Sequence, residues 1–277
     1  MKIISFKTAF FKKYPLQSKY MFKHFKNHFG KIPDWKDFTK LNLIDFISYL
    51  KNSGICQSSI RTYCAILKSI LNDYSDEVNI PCKDFDKILS IRNVKSRETF
   101  LTESELDKIC NLDVSGNNIY MFVKKIFLIS AYTGCRHSDA ILLDERNITN
   151  DRIDYISQKT NIFASIPLKP IIKDLILLPN IRVNDVTFNN VVRDICRKAG
   201  INDQIKIFKR GKHLTGEKWQ FVSSHTARRS FATNLHLRGV DLYTISRLMG
   251  HTDIKSTTGY ICCDVKLNSP EIIGYFS

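Results

Sequence analysis

The chain has 277 residues, 43% of them hydrophobic and 25% charged, with a formal net charge of +15 and a pI near 9.4. That length supports one large domain or two of ordinary size, and the apolar content supports a sizeable core. A folded protein this basic usually meets a polyanion, although charge alone does not separate DNA from RNA or from an anionic membrane surface.

No apolar run reaches the roughly 18 residues a membrane helix needs, and Lys2 and Lys7 break up the N-terminal segment where a signal peptide would lie. The expectation is therefore a soluble cytoplasmic protein with no membrane partner. Eight cysteines are present. None has C-x-x-C spacing, and Cys262 and Cys263 are adjacent, so they read as reduced thiols rather than as a zinc site or a disulfide framework.

Residues 1–82 read as a small helical module. Phe22, Phe25 and Phe29 form one stripe, Leu43, Phe46, Ile47 and Leu50 a second, and Ile60, Tyr63, Ile66, Leu67 and Ile70 a third. Lysines lie between the stripes. Over 83–100 the apolar period weakens, and Arg92, Lys95 and Arg97 suggest a basic linker. Thr102 and Glu105 then form a capping-box pattern ahead of Leu106 and Ile109, which opens a second domain over 101–277.

In that domain Ile119 to Ile129 predicts a strongly apolar helix stopped by Gly134. Residues 151–168 switch to period two, which predicts two strands with Lys159 at or near the turn between them. Helices resume near Pro170 and from Val186 to Ala199. The fold class is thus mainly α with a small β-hairpin insert. A basic stretch follows, with Lys206, Lys209, Arg210, Lys212, His213 and Lys218, and is expected to contact backbone phosphates.

Four segments carry polar residues suited to chemistry. Arg136 follows Gly134 at the end of the apolar helix. Lys159 sits on the hairpin. His225 and Arg228 are spaced i, i+3, so they point to one side of a helix. His251 follows Gly250, and Tyr260 comes nine residues later. Each has an ordinary structural explanation alone; their order is what is distinctive.

The order Arg136, Lys159, His225-x-x-Arg228, Gly250-His251 and Tyr260 resembles the catalytic domain of the tyrosine recombinase (phage integrase) family, over roughly residues 98–265. The N-terminal module is similar to that family's helical core-binding domain in size, position and helicity. The resemblance implies a two-domain clamp on double-stranded DNA and strand breakage and rejoining through a 3′-phosphotyrosyl intermediate. Tyr260 would be the nucleophile and Arg136 and Arg228 the phosphate ligands. His225 would take the tyrosine proton, Lys159 would protonate the leaving oxygen, and His251 would hydrogen-bond the phosphate.

Guanidinium groups suit this role because they stay charged and bind phosphate through two parallel bonds. No Gly-rich phosphate loop or carboxylate cluster stands out, so the expectation is no cofactor and no metal. The resemblance also implies a tetramer on paired DNA sites. In that setting the tail residues Ile272, Ile273, Tyr275 and Phe276 would dock either on a neighbouring subunit or on their own domain. Two other readings stand beside it: a catalytically inactive architectural DNA-binding protein of the same fold, and a type IB topoisomerase-like enzyme.

Overall fold

The structure, a computed structural model, describes residues 4–92, 96, 98–209 and 211–262. The tail positions Ile272, Ile273, Tyr275 and Phe276 lie outside the described residues, as do Lys95, Arg97, Arg210 and Cys263. The chain divides into two compact units, one on Met1–Ser96 with Phe208–Lys212, the other on Arg97–Ile207 and His213–Ser277.

The first unit is helical: α1 (Phe6–Lys13), α2 (Pro15–Phe29), α3 (Lys40–Asn52), α4 (Gln57–Tyr74) and the short α5 (Phe85–Ile88). Phe6, Phe10, Phe25, Phe38 and Phe46 are fully buried at its centre. The Phe6 ring meets those of Phe10, Phe25 and Phe38 edge-on, the arrangement that ring quadrupoles favour. This unit runs further than the expected boundary at residue 82. Phe85 and Leu89 belong to the same core, because the helical turn of α5 puts both on the face turned inward. The expected linker over 83–100 is also packed at its far end, where Glu98 pairs with Arg229 at 3.1 Å and Thr99 is 8% exposed.

The second unit begins with α6 (Glu103–Asn111), α7 (Asn118–Thr133) and α8 (His137–Ala140). The capping box at its entrance is formed: Thr102 N donates to Glu105 Oε2 at 2.7 Å, and Glu105 N donates to Thr102 Oγ1 at 3.3 Å. Helix α7 is apolar almost all round and is buried on most of its surface, as such a helix must be. It even buries Lys125, whose ammonium is satisfied by Leu178 O at 2.5 Å and Asn180 Oδ1 at 2.8 Å.

A three-stranded antiparallel sheet follows: β1 (Ile148–Thr149), β2 (Arg152–Ile156) and β3 (Phe163–Pro167). Ile153, Tyr155, Ala164 and Ile166 fill its inner face. The chain continues through α9 (Pro170–Leu177), α10 (Asp185–Lys198), a second hairpin of β4 (Gln204–Lys209) and β5 (Lys212–Glu217), and then α11 (Ser224–Leu237), α12 (Leu242–Leu248) and α13 (Ile254–Thr258). Packing of α7 against α10 and α11 makes the centre of this unit.

The basic stretch between α10 and α11 is therefore a two-stranded ribbon. Lys206 and Lys212 are exposed on it. Lys218 is not available to phosphate: it is 8% exposed and pairs with Glu105 at 2.6 Å. A buried carboxylate needs a partner, and that need draws this lysine inward. Cys64, Cys135 and Cys196 are buried, and burial pushes their thiols up to about 11, about 11 and about 12. They are inert at neutral pH. Among the described residues no helix is long and apolar enough to cross a membrane.

Candidate active site

Gly134 shapes the site. It ends α7 in the left-handed conformation (φ 69°), and its amide donates to Ser130 O. A Cβ there would lie 2.4 Å from Phe231 Cδ1, so α11 can approach this turn only where the side chain is hydrogen. The turn then delivers Arg136 as the N-cap of α8.

Arg136 is half-buried, and its Nη1 donates to Ser157 Oγ at 2.6 Å. Ser157 Oγ in turn donates to Asp139 Oδ2 at 3.1 Å, while Asp139 Oδ1 accepts from Gln158 N at 3.1 Å. Asp139 and Ser157 are both buried. Sequence reasoning passed over both residues. Asp139 lies in the same short segment as Arg136, one turn into α8, while Ser157 carries no local signal.

Arg228 projects from α11 and is 2% exposed. Its Nη1 donates to Gly134 O, and its Nη2 donates to Met249 O at 2.7 Å and to His251 Nε2 at 2.6 Å. Its Nε–H is buried without a partner among the described residues. Such an orphan donor is costly unless something accepts it. Burial pulls the Arg228 pKa down, yet a guanidinium remains charged in any protein environment.

His251 is 6% exposed. Arg228 can only donate, so His251 Nε2 accepts, and the ring proton sits on Nδ1, which donates to Thr257 Oγ1 at 2.9 Å. Burial, then the charges of Arg228 and Arg136, push its pKa down to about 4. A neutral imidazole follows at neutral pH. In the unfolded chain the group titrates near 6.5, so the unfolded state binds the proton first as pH falls. Stability contributed by neutral His251 is complete above pH 6.5 and is lost as pH falls towards 4, by about 2 kcal/mol at pH 5. Denaturant titrations at pH 7 and pH 5 should show this loss for the native chain and a smaller one for His251→Gln; equal losses would mean that another group carries the acid sensitivity.

Tyr260 follows α13 and is half-buried. Its ring centre lies 5.3 Å from the Arg228 guanidinium carbon and 5.4 Å from the His251 ring. Four of the six expected residues are thus linked in one neighbourhood, with Arg136 joined through Ser157 to the hairpin and Arg228 joined to His251 and Tyr260.

The other two, Lys159 and His225, are exposed. Lys159 is exposed in the turn between β2 and β3, as the alternation predicted. Asn161 holds that turn in the left-handed conformation (φ 51°), and Thr160 Oγ1 donates to Gly250 O at 3.3 Å, which ties the turn to the residue before His251. His225 is exposed in the first turn of α11, next to Ser224, whose amide is held by Asn189 Oδ1 at 2.9 Å. The arrangement offers two concentrated cationic forks, a phenol beside them, and a lysine and a histidine reachable from solvent. Such a set can bind a phosphate and stabilise added charge on it.

The sequence model of the phage integrase family matches residues 99–264. A tyrosine recombinase of Pseudothermotoga lettingae is 23% identical over 250 residues, covering 82% of this chain and 78% of its own length. The tyrosine recombinase XerD of Oceanobacillus iheyensis is 23% identical over 262 residues, covering 86% of this chain and 82% of its own. Among solved structures, a lambda integrase dimer bound to a COC′ core site shares the fold, with a TM-score of 0.65 at 14% identity over 96% of this chain and 98% of that one.

Proposed function

This chain belongs to the phage integrase family, the tyrosine recombinases, and from that premise we propose that it carries out site-specific recombination of double-stranded DNA with Tyr260 as its nucleophile. The observation that carries this reading is the placement of the Tyr260 ring beside the Arg228 guanidinium and the His251 imidazole.

In the proposed reaction the Tyr260 oxygen attacks the scissile phosphorus. The P–O bond to tyrosine forms as the P–O5′ bond breaks, leaving a 3′-phosphotyrosyl link and a 5′ hydroxyl. Arg136 and Arg228 neutralise the charge that builds on the non-bridging oxygens. The Tyr260 proton must leave as the new P–O bond forms; exposed His225 receives it, and Lys159 supplies one to the departing 5′ oxygen.

His251 acts chiefly by holding Arg228. Its Nε2 accepts from Arg228 Nη2, so the direct phosphate contact implied by the family resemblance would require that bond to be exchanged. Attack by a 5′ hydroxyl from a second duplex reverses the step on a new partner, which favours assembly on paired sites as a tetramer. The N-terminal helical module would contribute further contacts to the same DNA.

The test is covalent trapping. Nicked duplexes carrying candidate sites should give a protein–DNA adduct on denaturing gels with the native chain and none with Tyr260→Phe. DNA binding without any adduct across a broad set of sites would instead favour an architectural protein of this fold.

A further inference from the structure

Resting on the reading of Tyr260 as nucleophile, we infer that Thr233 is a positioning residue that fixes the nucleophile's backbone to the helix that carries Arg228. The tyrosine lies just past α13, whose five residues, Ile254–Thr258, end before it. A helix this short holds its C-terminal neighbour weakly. The Tyr260 amide donates back to Thr257 O at 2.9 Å, but the segment that follows is in neither helix nor strand through residue 262.

Thr233 reaches this segment from the middle of α11, fully buried. Its hydroxyl donates to Tyr260 O at 3.3 Å and accepts from Cys262 N at 3.1 Å. One side chain therefore satisfies one backbone group of Tyr260 and one of Cys262. A hydroxyl can do both at once because it is donor and acceptor together. Neither valine nor alanine can do either.

Arg228 and Thr233 are five residues apart on one helix, so the phosphate-binding guanidinium and the nucleophile's backbone share a single rigid frame. Displacement of an attacking atom by about 1 Å can cost on the order of a hundredfold in rate. A clamp of this kind acts on attack and leaves DNA binding alone, since Thr233 is buried and cannot touch DNA.

The test compares single-turnover adduct formation on a duplex that the native chain cleaves, with DNA affinity and the thermal unfolding midpoint measured on the same samples. Thr233→Val should slow attack about tenfold or more with affinity changed less than about twofold, and Thr233→Ser, which keeps the hydroxyl, should stay within about threefold of native. Thr233→Ala serves in place of Thr233→Val if the latter is unfolded at the assay temperature. A folded Thr233→Val protein that attacks at the native rate would overturn the inference, as would a Thr233→Ser protein as slow as Thr233→Val. An adduct that persists in Tyr260→Phe would sink the nucleophile assignment itself, a different result from either.

Discussion

Arg228→Lys is expected to cut the single-turnover rate of adduct formation by about 10²–10³-fold at saturating DNA, the usual penalty for removing one preorganised donor from a charged transition state. The reason lies in what the guanidinium does at once. It satisfies Gly134 O, Met249 O and the His251 Nε2 acceptor, and its buried Nε–H is still unclaimed among the described residues. Lysine brings a compact ammonium with three donors and no fork. If it held the three existing partners it would have nothing left for a phosphate; if it turned to a phosphate, buried acceptors would be stranded.

Each stranded acceptor would cost about 1–3 kcal/mol. A drop in the unfolding midpoint should therefore accompany the loss of rate, and both should be measured on the same preparation. A lysine variant that forms adduct at the native rate would remove Arg228 from phosphate binding. A variant that loses stability but not rate would make it a purely structural residue.

Gly134→Ala should destabilise the second unit by about 3 kcal/mol, the sum of left-handed backbone strain and overpacking of a closed core. The new Cβ would meet the Phe231 ring at 2.4 and 2.6 Å. That ring is itself buried on α11, so neither wall can retreat cheaply. Part of this penalty is steric and part is conformational, and the two can be separated. Adding Phe231→Ala to Gly134→Ala should relieve the clash but not the backbone strain, so the double variant should be more stable than the sum of the single effects predicts. Simple additivity in denaturant titrations would show that the Phe231 contact is not what the glycine is for. Because Gly134 O is also an Arg228 partner, the same substitution should slow adduct formation through the displaced guanidinium.

Features that depend on neighbours in the chain were legible from the sequence. The capping box at Thr102 and Glu105, the apolar run of α7 ended by Gly134, and the alternation that makes β2 and β3 all rest on contacts within a few residues, where side-chain chemistry acts directly on the backbone. The order of Arg136, Lys159, His225, Arg228, His251 and Tyr260, which carries the family resemblance, is visible in the sequence as well. The second hairpin was not. Ile205 and Ile207 alternate in β4, but Lys212–Glu217 carries no apolar alternation, and its strand exists because β4 pairs with it.

Residues far apart in the chain were settled only by the fold. Ser157 stands between Asp139 and Arg136 from 18 and 21 positions away. Thr233 reaches Tyr260 across 27 and Cys262 across 29. Lys218, one more charge in a basic stretch, is drawn inside by Glu105 at a separation of 113. The sequence by itself determined the helices and the first hairpin that rest on local periodicity, and which chemical groups are present, because those follow from spacing and residue type. Only the tertiary structure decided which groups are buried, which partner each one has and which nitrogen of His251 carries its proton, because desolvation and hydrogen-bond geometry exist only once distant segments have been packed together.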